Sequence, residues 1–236
     1  MTIEKIDINL LFDKTKFPKC DINAFVVKFE GDIDVKEYVN SMAMKISDTS
    51  WLEHLDPFDK MSFEDNVAAS VNKIVNEIFA GIVNGLNSDI GEYLVSMSAQ
   101  DVLVQECNHT GLPLAELLKE KVSGNPGFDF HTISPIFRLV QGEAKYGGGD
   151  TRYVEAMSQI VDFIKGKQKN GDLQIIKPFL TPETKTMLLK NERGFCAAFS
   201  LNAQNDSLII KHALGHDSMN TLGQYSEFYL IAVKVC

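Results

Sequence analysis

Apolar positions along the chain recur at two spacings, every second residue or every third to fourth, and the switches between them mark where elements begin and end. The runs IDINLLFDK (6–14) and INAFVVKFEGD (22–32) cluster or alternate as short strands do, with Gly31 and Asp32 as a turn. From Asp34 the spacing turns helical through Val35, Tyr38, Val39, Met42 and Ile46, and a loop-like connection holding Trp51 and Pro57 follows. These predict a small N-terminal α/β element over residues 1–60 ahead of a larger domain over 61–236. The larger domain opens with a helix start at Ser62 and Asp65 and an apolar stripe from Val67 through Ile74 and Phe79 to Val83. Ser88 and Asp89 begin a second helix with Ile90, Leu94, Val95, Val102 and Leu103 on its apolar face. Glu92 sits in its first turn, where a carboxylate complements the helix dipole.

LPLAELLKEKV (112–122) fits a short helix or a strand, and we read it as a strand. A turn at 124–127 then delivers Phe128 and Asp129, and PGFDFHTISPIFRLVQGEAK (126–145) reads as two neighbouring strands. Strand residues two apart share a face, so Glu143 and Lys145 point one way and Ala144 the other. With Asp129 they would bring two carboxylates and an ammonium into one cleft, a charge cluster that a core does not keep without a task or a metal. Three glycines from Gly147 break the chain, and Val154, Met157, Ile160, Val161 and Ile164 define an amphipathic helix ending in Lys165, Lys167 and Lys169. A helix start at Thr181 and Pro182 and strands over 194–201 and 228–235 complete an α/β pattern.

Composition narrows the function classes. Apolar residues make up 44% and charged residues 23%, as in ordinary globular proteins. The start MTIEKIDINLL has no signal-peptide pattern and no run is long and apolar enough to span a bilayer, so a cytoplasmic location without membrane contact is expected. Four scattered cysteines without a CxxC suggest thiols. A formal charge of −9 argues against coating nucleic acid unaided, though metal-binding carboxylates are themselves acidic and a partner can supply the grip.

The triplet acid-x-Lys occurs at 34–36, 143–145 and 183–185, but only Glu143-Ala144-Lys145 ends an apolar strand behind a Gly-Phe-Asp turn. In that context Gly127-Phe128-Asp129 and Gly142-Glu143-Ala144-Lys145 resemble the two motifs of the PD-(D/E)xK, restriction-endonuclease-like nuclease superfamily, over residues 88–169. Phe128 stands where the family pattern has Pro. The resemblance implies a core of helix, three-stranded antiparallel meander, crossing helix and further strand. It also implies Mg²⁺ or Mn²⁺ held by Asp129, Glu143 and the backbone of Ala144, Lys145 as catalytic lysine, and a helix carboxylate from Glu92, or from Glu116 if 112–122 is helical. Within the superfamily, IGEYL at 90–94, GFDFH and GEAKY resemble nuclease subunits of Hachiman anti-phage systems, which implies DNA cleavage beside a helicase or ATPase partner. A non-catalytic subunit on the same scaffold and an RNase are the alternatives.

Three further residues are candidates for substrate binding. Gln159 lies where some family branches carry a Gln-x-x-x-Tyr pair, although Phe163 replaces the tyrosine. His131 shares the face of Asp129, and Arg152, with Arg138 and the lysines of 165–169, forms the basic concentration expected beside the cleft. His212 and His216 have helical ligand spacing but no further ligand at a closing distance, so zinc is not expected. No phosphate-binding or dinucleotide motif occurs.

Overall fold

The β-branched and aromatic runs from both halves of the chain gather into one seven-stranded sheet in the computed structural model, which describes residues 1–119, 127–166 and 170–235. Its strands are β1 (Thr2–Ile6), β2 (Asp21–Phe29), β3 (Thr110–Gly111), β4 (Phe130–Ile133), β5 (Leu139–Lys145), β6 (Gly194–Ser200) and β7 (Glu227–Val235), in the order β1-β2-β7-β6-β5-β4-β3. The four central strands run parallel, while β1 at one edge and β4 and β3 at the other are antiparallel to their neighbours. Central strands are buried on both faces, which is why β2 lacks a clean polar alternation: Phe25, Val27 and Phe29 enter one core and Ile22, Ala24 and Val26 the other.

Helices α1 (Gly31–Ser47) and α3 (Ser88–Cys107) fill the first core with Val39, Met42, Leu94 and Val102. Helices α5 (Arg152–Lys165) and α8 (Asp206–Leu214) fill the second with Met157, Ile160 and Ile210. Shorter or peripheral helices complete the described residues: α2 (Pro57–Val71), α4 (Ala115–Leu118), α6 (Leu173–Ile176), α7 (Pro182–Leu189) and α9 (Met219–Leu222). No described helix is long and apolar enough to cross a membrane.

Local chemistry fixes the boundaries. Helix α2 starts before Ser62, because Asp56 accepts hydrogen bonds from the N–H groups of Phe58 and Asp59 and Pro57 fits the first turn. It runs on through π and 3-10 turns to Asn84, which carry Ile74, Phe79 and Ile82 into the first core. Asn87 caps α3 at the N–H of Ile90, and Thr181 caps α7 at that of Thr184.

The strand expected over 112–122 is a correction. The strand is β3, two residues earlier, and α4 follows; residues 120–126, including Pro126, lie outside the described residues. Leu112 N–H still donates to the His131 carbonyl at 3.1 Å, but Pro113 has no N–H to continue the ladder and the chain turns helical. Residues 1–60 supply β1, β2 and α1 to this same sheet and first core, β2 pairing along its length with β7.

Candidate active site

The second face of the sheet changes character between neighbouring strands. Under α5 and α8, β6 and β7 present Phe195, Ala197, Phe199, Phe228 and Leu230. On the same face β5 carries Gln141, Glu143 and Lys145, while Val140 and Ala144 alternate into the first core. A polar strip of this kind inside an apolar layer needs partners for every group.

Asp129 lies one residue before β4. Its N–H donates to the Gly142 carbonyl at 2.9 Å, and its Oδ2 accepts from Ala144 N–H at 2.7 Å, so the carboxylate caps β5 beside Glu143. Glu143, only 1% exposed, accepts a 2.7 Å hydrogen bond from Lys145 Nζ on Oε1, while Oε2 has no partner among the described residues. Helix α3 can approach because Gly91 is bare: a Cβ there would overlap the Tyr146 ring just past β5. The next residue, exposed Glu92, is thereby within electrostatic reach of Asp129, Glu143 and Lys145. Helix α4 adds Glu116, its first residue Ala115 donating to the Asp129 carbonyl at 3.3 Å. Both helix carboxylates weighed from the sequence therefore face one cluster.

Their electrostatics follow from crowding. Burial, then the Asp129 charge, pushes Glu116 up to about 8. Burial also lifts Asp129 to about 6, against the opposing pull of Ala144 N–H and Lys145. Glu143 is raised well above the usual carboxylate range by burial and then by Asp129, with Lys145 opposing. Burial works against the Lys145 ammonium, but Glu143, Asp129 and Glu92 outweigh it, so its affinity for the proton is raised. The site thus crowds carboxyls that keep their protons to unusually high pH around one firmly protonated lysine.

Among the described residues no group of three or more His, Cys, Asp or Glu is gathered closely enough to hold a metal ion. What the cluster does offer is hard oxygen. Asp129 spends Oδ2 on Ala144 and Glu143 spends Oε1 on Lys145, and the second oxygen of Glu143 is buried without a partner among the described residues. Two carboxylate oxygens suit a Mg²⁺-like ion that keeps several waters and takes further ligands from a phosphate.

Behind Asp129 lies a clamp the sequence did not suggest. Buried Asp172 accepts from Phe128 N–H at 2.7 Å on Oδ2, and Lys119 Nζ lies 3.5 Å from its Oδ1 and 3.4 Å from the Phe128 carbonyl. Gly127 makes room for it, since at φ 133° a Cβ would overlap the Asp172 carboxylate. Burial opposes the Asp172 charge, but His131, Lys119 and Phe128 N–H more than compensate, and its pKa is lowered. Only a turn-like Asn-Gly-Asp announces Asp172 in the sequence.

The substrate-binding candidates are less gathered. His131 does share the Asp129 face, but it is fully enclosed, with Nε2 3.4 Å from Asp172 Oδ2. Gln159 is half-buried on α5 and makes no hydrogen bond to the cluster. Arg152 folds over Gly147, two residues beyond Lys145, and pairs with Glu155 at 2.6 Å. Arg138 is not beside the cleft: it precedes the opposite end of β5 and bridges Glu192 and Glu227 at 3.0 and 3.3 Å. Lys167 and Lys169 lie outside the described residues. Compared with protein-family models, curated proteins and solved structures, the chain has no match.

Proposed function

We propose that the chain is a metal-dependent phosphodiester hydrolase acting on DNA. The observation that carries this is the gathering of Asp129, Glu143 and Lys145 at the β4–β5 pair, with Glu92 of α3 and Glu116 of α4 within electrostatic reach. The order α3, antiparallel β3–β4–β5, α5, then β6 parallel to β5 supports a restriction-endonuclease-like core.

Asp129 and Glu143, with the Ala144 backbone, would hold Mg²⁺ or Mn²⁺. When bound, such an ion polarises a phosphate oxygen and lowers the pKa of a coordinated water. Lys145, protonated and tethered to Glu143, offers its ammonium to a nonbridging phosphate oxygen, where charge grows in the transition state. Glu92, exposed at the rim, accepts a proton or orders water, while Glu116, lifted to about 8 by burial, keeps its proton near neutral pH. Arg152, at the glycine turn, is the nearest candidate for a backbone phosphate. The −9 charge leaves most of the nucleic-acid grip to another subunit, which fits a helicase-like partner in anti-phage defence.

The test is DNA cleavage with Mg²⁺ or Mn²⁺, alone and with the operon partner. Glu143→Ala and Lys145→Ala should each lower cleavage by about 10²-fold or more with an unchanged far-UV spectrum; undiminished cleavage by both defeats the assignment. One observation favours a second reading, a scaffold without catalysis: no group of three metal-binding residues is gathered among those described. Absence of cleavage in every metal and in the complex, with Glu143→Ala silent in cells, selects it.

A further inference from the structure

A second opening lies outside the carboxylate cluster. A pocket of about 570 Å³ opens between α6 and α7, within the range of small-molecule sites. Its walls are the leucines Leu173, Leu180, Leu188 and Leu189, the last 90% exposed at the rim. Set among them are Lys177, Lys185 and Arg193, and among the described residues no acidic side chain lines the pocket. For a chain carrying −9, three cations in one lining mark a local reversal of charge, with Asp59 outside the lining but within electrostatic reach of Lys177. Lys177 and Lys185 are exposed and form no salt bridge among the described residues. Arg193 is buried as part of the floor, where Nη1 donates to Gln141 Oε1 at 3.4 Å and Asn170 Oδ1 at 3.3 Å.

We propose that this pocket binds a nucleoside 5′-phosphate, free or as the terminal residue of a strand. Three cations exceed what a single carboxylate needs and suit the near-double charge of a phosphate monoester. Leucine walls accept the flat apolar face of a base. The amides of Asn170 and Gln174 supply both donors and acceptors for its polar edge. An inorganic anion would leave the leucines uncovered, and a purely apolar ligand would leave the lysines unused. The proposal does not rest on phosphodiester cleavage, because the pocket shares no residue with the carboxylate cluster. It does communicate with that cluster, since Gln141 lies on β5 two residues from Glu143 and on the same face.

Calorimetric titration in EDTA, where no metal-dependent cleavage proceeds, tests it directly. AMP should bind saturably, with adenosine and inorganic phosphate each weaker by about tenfold or more. The double variant Lys177→Glu, Lys185→Glu, at exposed positions that leave the fold intact, should lose at least about tenfold in AMP affinity. A 5′-phosphorylated oligonucleotide binding more tightly than AMP, and more tightly than its 5′-hydroxyl form, identifies a strand end as the source; equal or weaker binding identifies the free nucleotide. No saturable AMP binding, phosphate binding as tightly as AMP, or the double variant binding AMP like wild type would each overturn the proposal. A chain that fails to cleave DNA yet binds AMP sinks the hydrolase reading and leaves this one standing.

Discussion

Glu116 illustrates how a site carboxylate weakens the molecule that holds it. Its pKa is lifted to about 8 and that of Asp129 to about 6, while free carboxyls titrate near 4. Across the interval between those values the folded chain retains protons that the unfolded chain has released. Stability therefore falls as pH rises from about 4 to about 8, the reverse of the usual acid-denaturation trend for paired carboxylates. Glu116→Gln removes one charge and should raise stability by about 1 kcal/mol at pH 8 with little effect at pH 4.5, as read by thermal melting at the two pH values. Added Mg²⁺ should raise the wild-type midpoint at pH 8 more than at pH 5, since an ion that binds only the folded form stabilises it by mass action. A variant less stable than wild type at pH 8 would show that the carboxylates are not in mutual repulsion.

At the scale of elements, the clamp beneath Asp129 separates what periodicity reveals from what it hides. Asp172→Ala leaves Phe128 N–H buried without its acceptor and Lys119 with the Phe128 carbonyl but no counter-charge, and should cost about 2–4 kcal/mol in chemical denaturation. Asp172→Asn keeps an acceptor and should recover part of that loss and of any cleavage activity. Helices α3 and α5 were legible because a stripe such as Ile90, Leu94 and Val95, or Val154, Met157 and Ile160, reports the helical period directly. The β5 alternation was equally plain, since Val140 and Ala144 pack into one core and Glu143 and Lys145 face away. The 112–122 segment was misread because its leucines satisfy either period, and the deciding fact was the missing N–H of Pro113. Asp172 was invisible for a different reason. Its partners Phe128 and Lys119 are distant in sequence, and no local pattern encodes a hydrogen bond across that separation. Arg138 counts toward the basic concentration expected beside the cleft because composition lists a cation without saying which end of a strand it flanks.

For the whole molecule, the central fact is that the sheet runs without interruption from β1 to β3. β2 is hydrogen-bonded along its length to β7, and its apolar side chains enter both cores. Removal of residues 1–30 should therefore abolish cooperative unfolding of the remainder rather than leave a stable domain from residue 61. Intact protein should lose far-UV and near-UV signals in coincident transitions. A folded 61–236 fragment with a sharp melt would show that the N-terminal strands are an accessory to the sheet.

Register partners such as Ile22 and Phe228 stand about 200 residues apart in the sequence. During synthesis β2 waits for β7, the ladder edge not covered by β1 open until about 200 further residues have been made. A nascent chain stalled before β7 thus presents an adhesive edge for chaperones, and the carboxylate cluster is supported by a finished sheet only after translation has passed that strand.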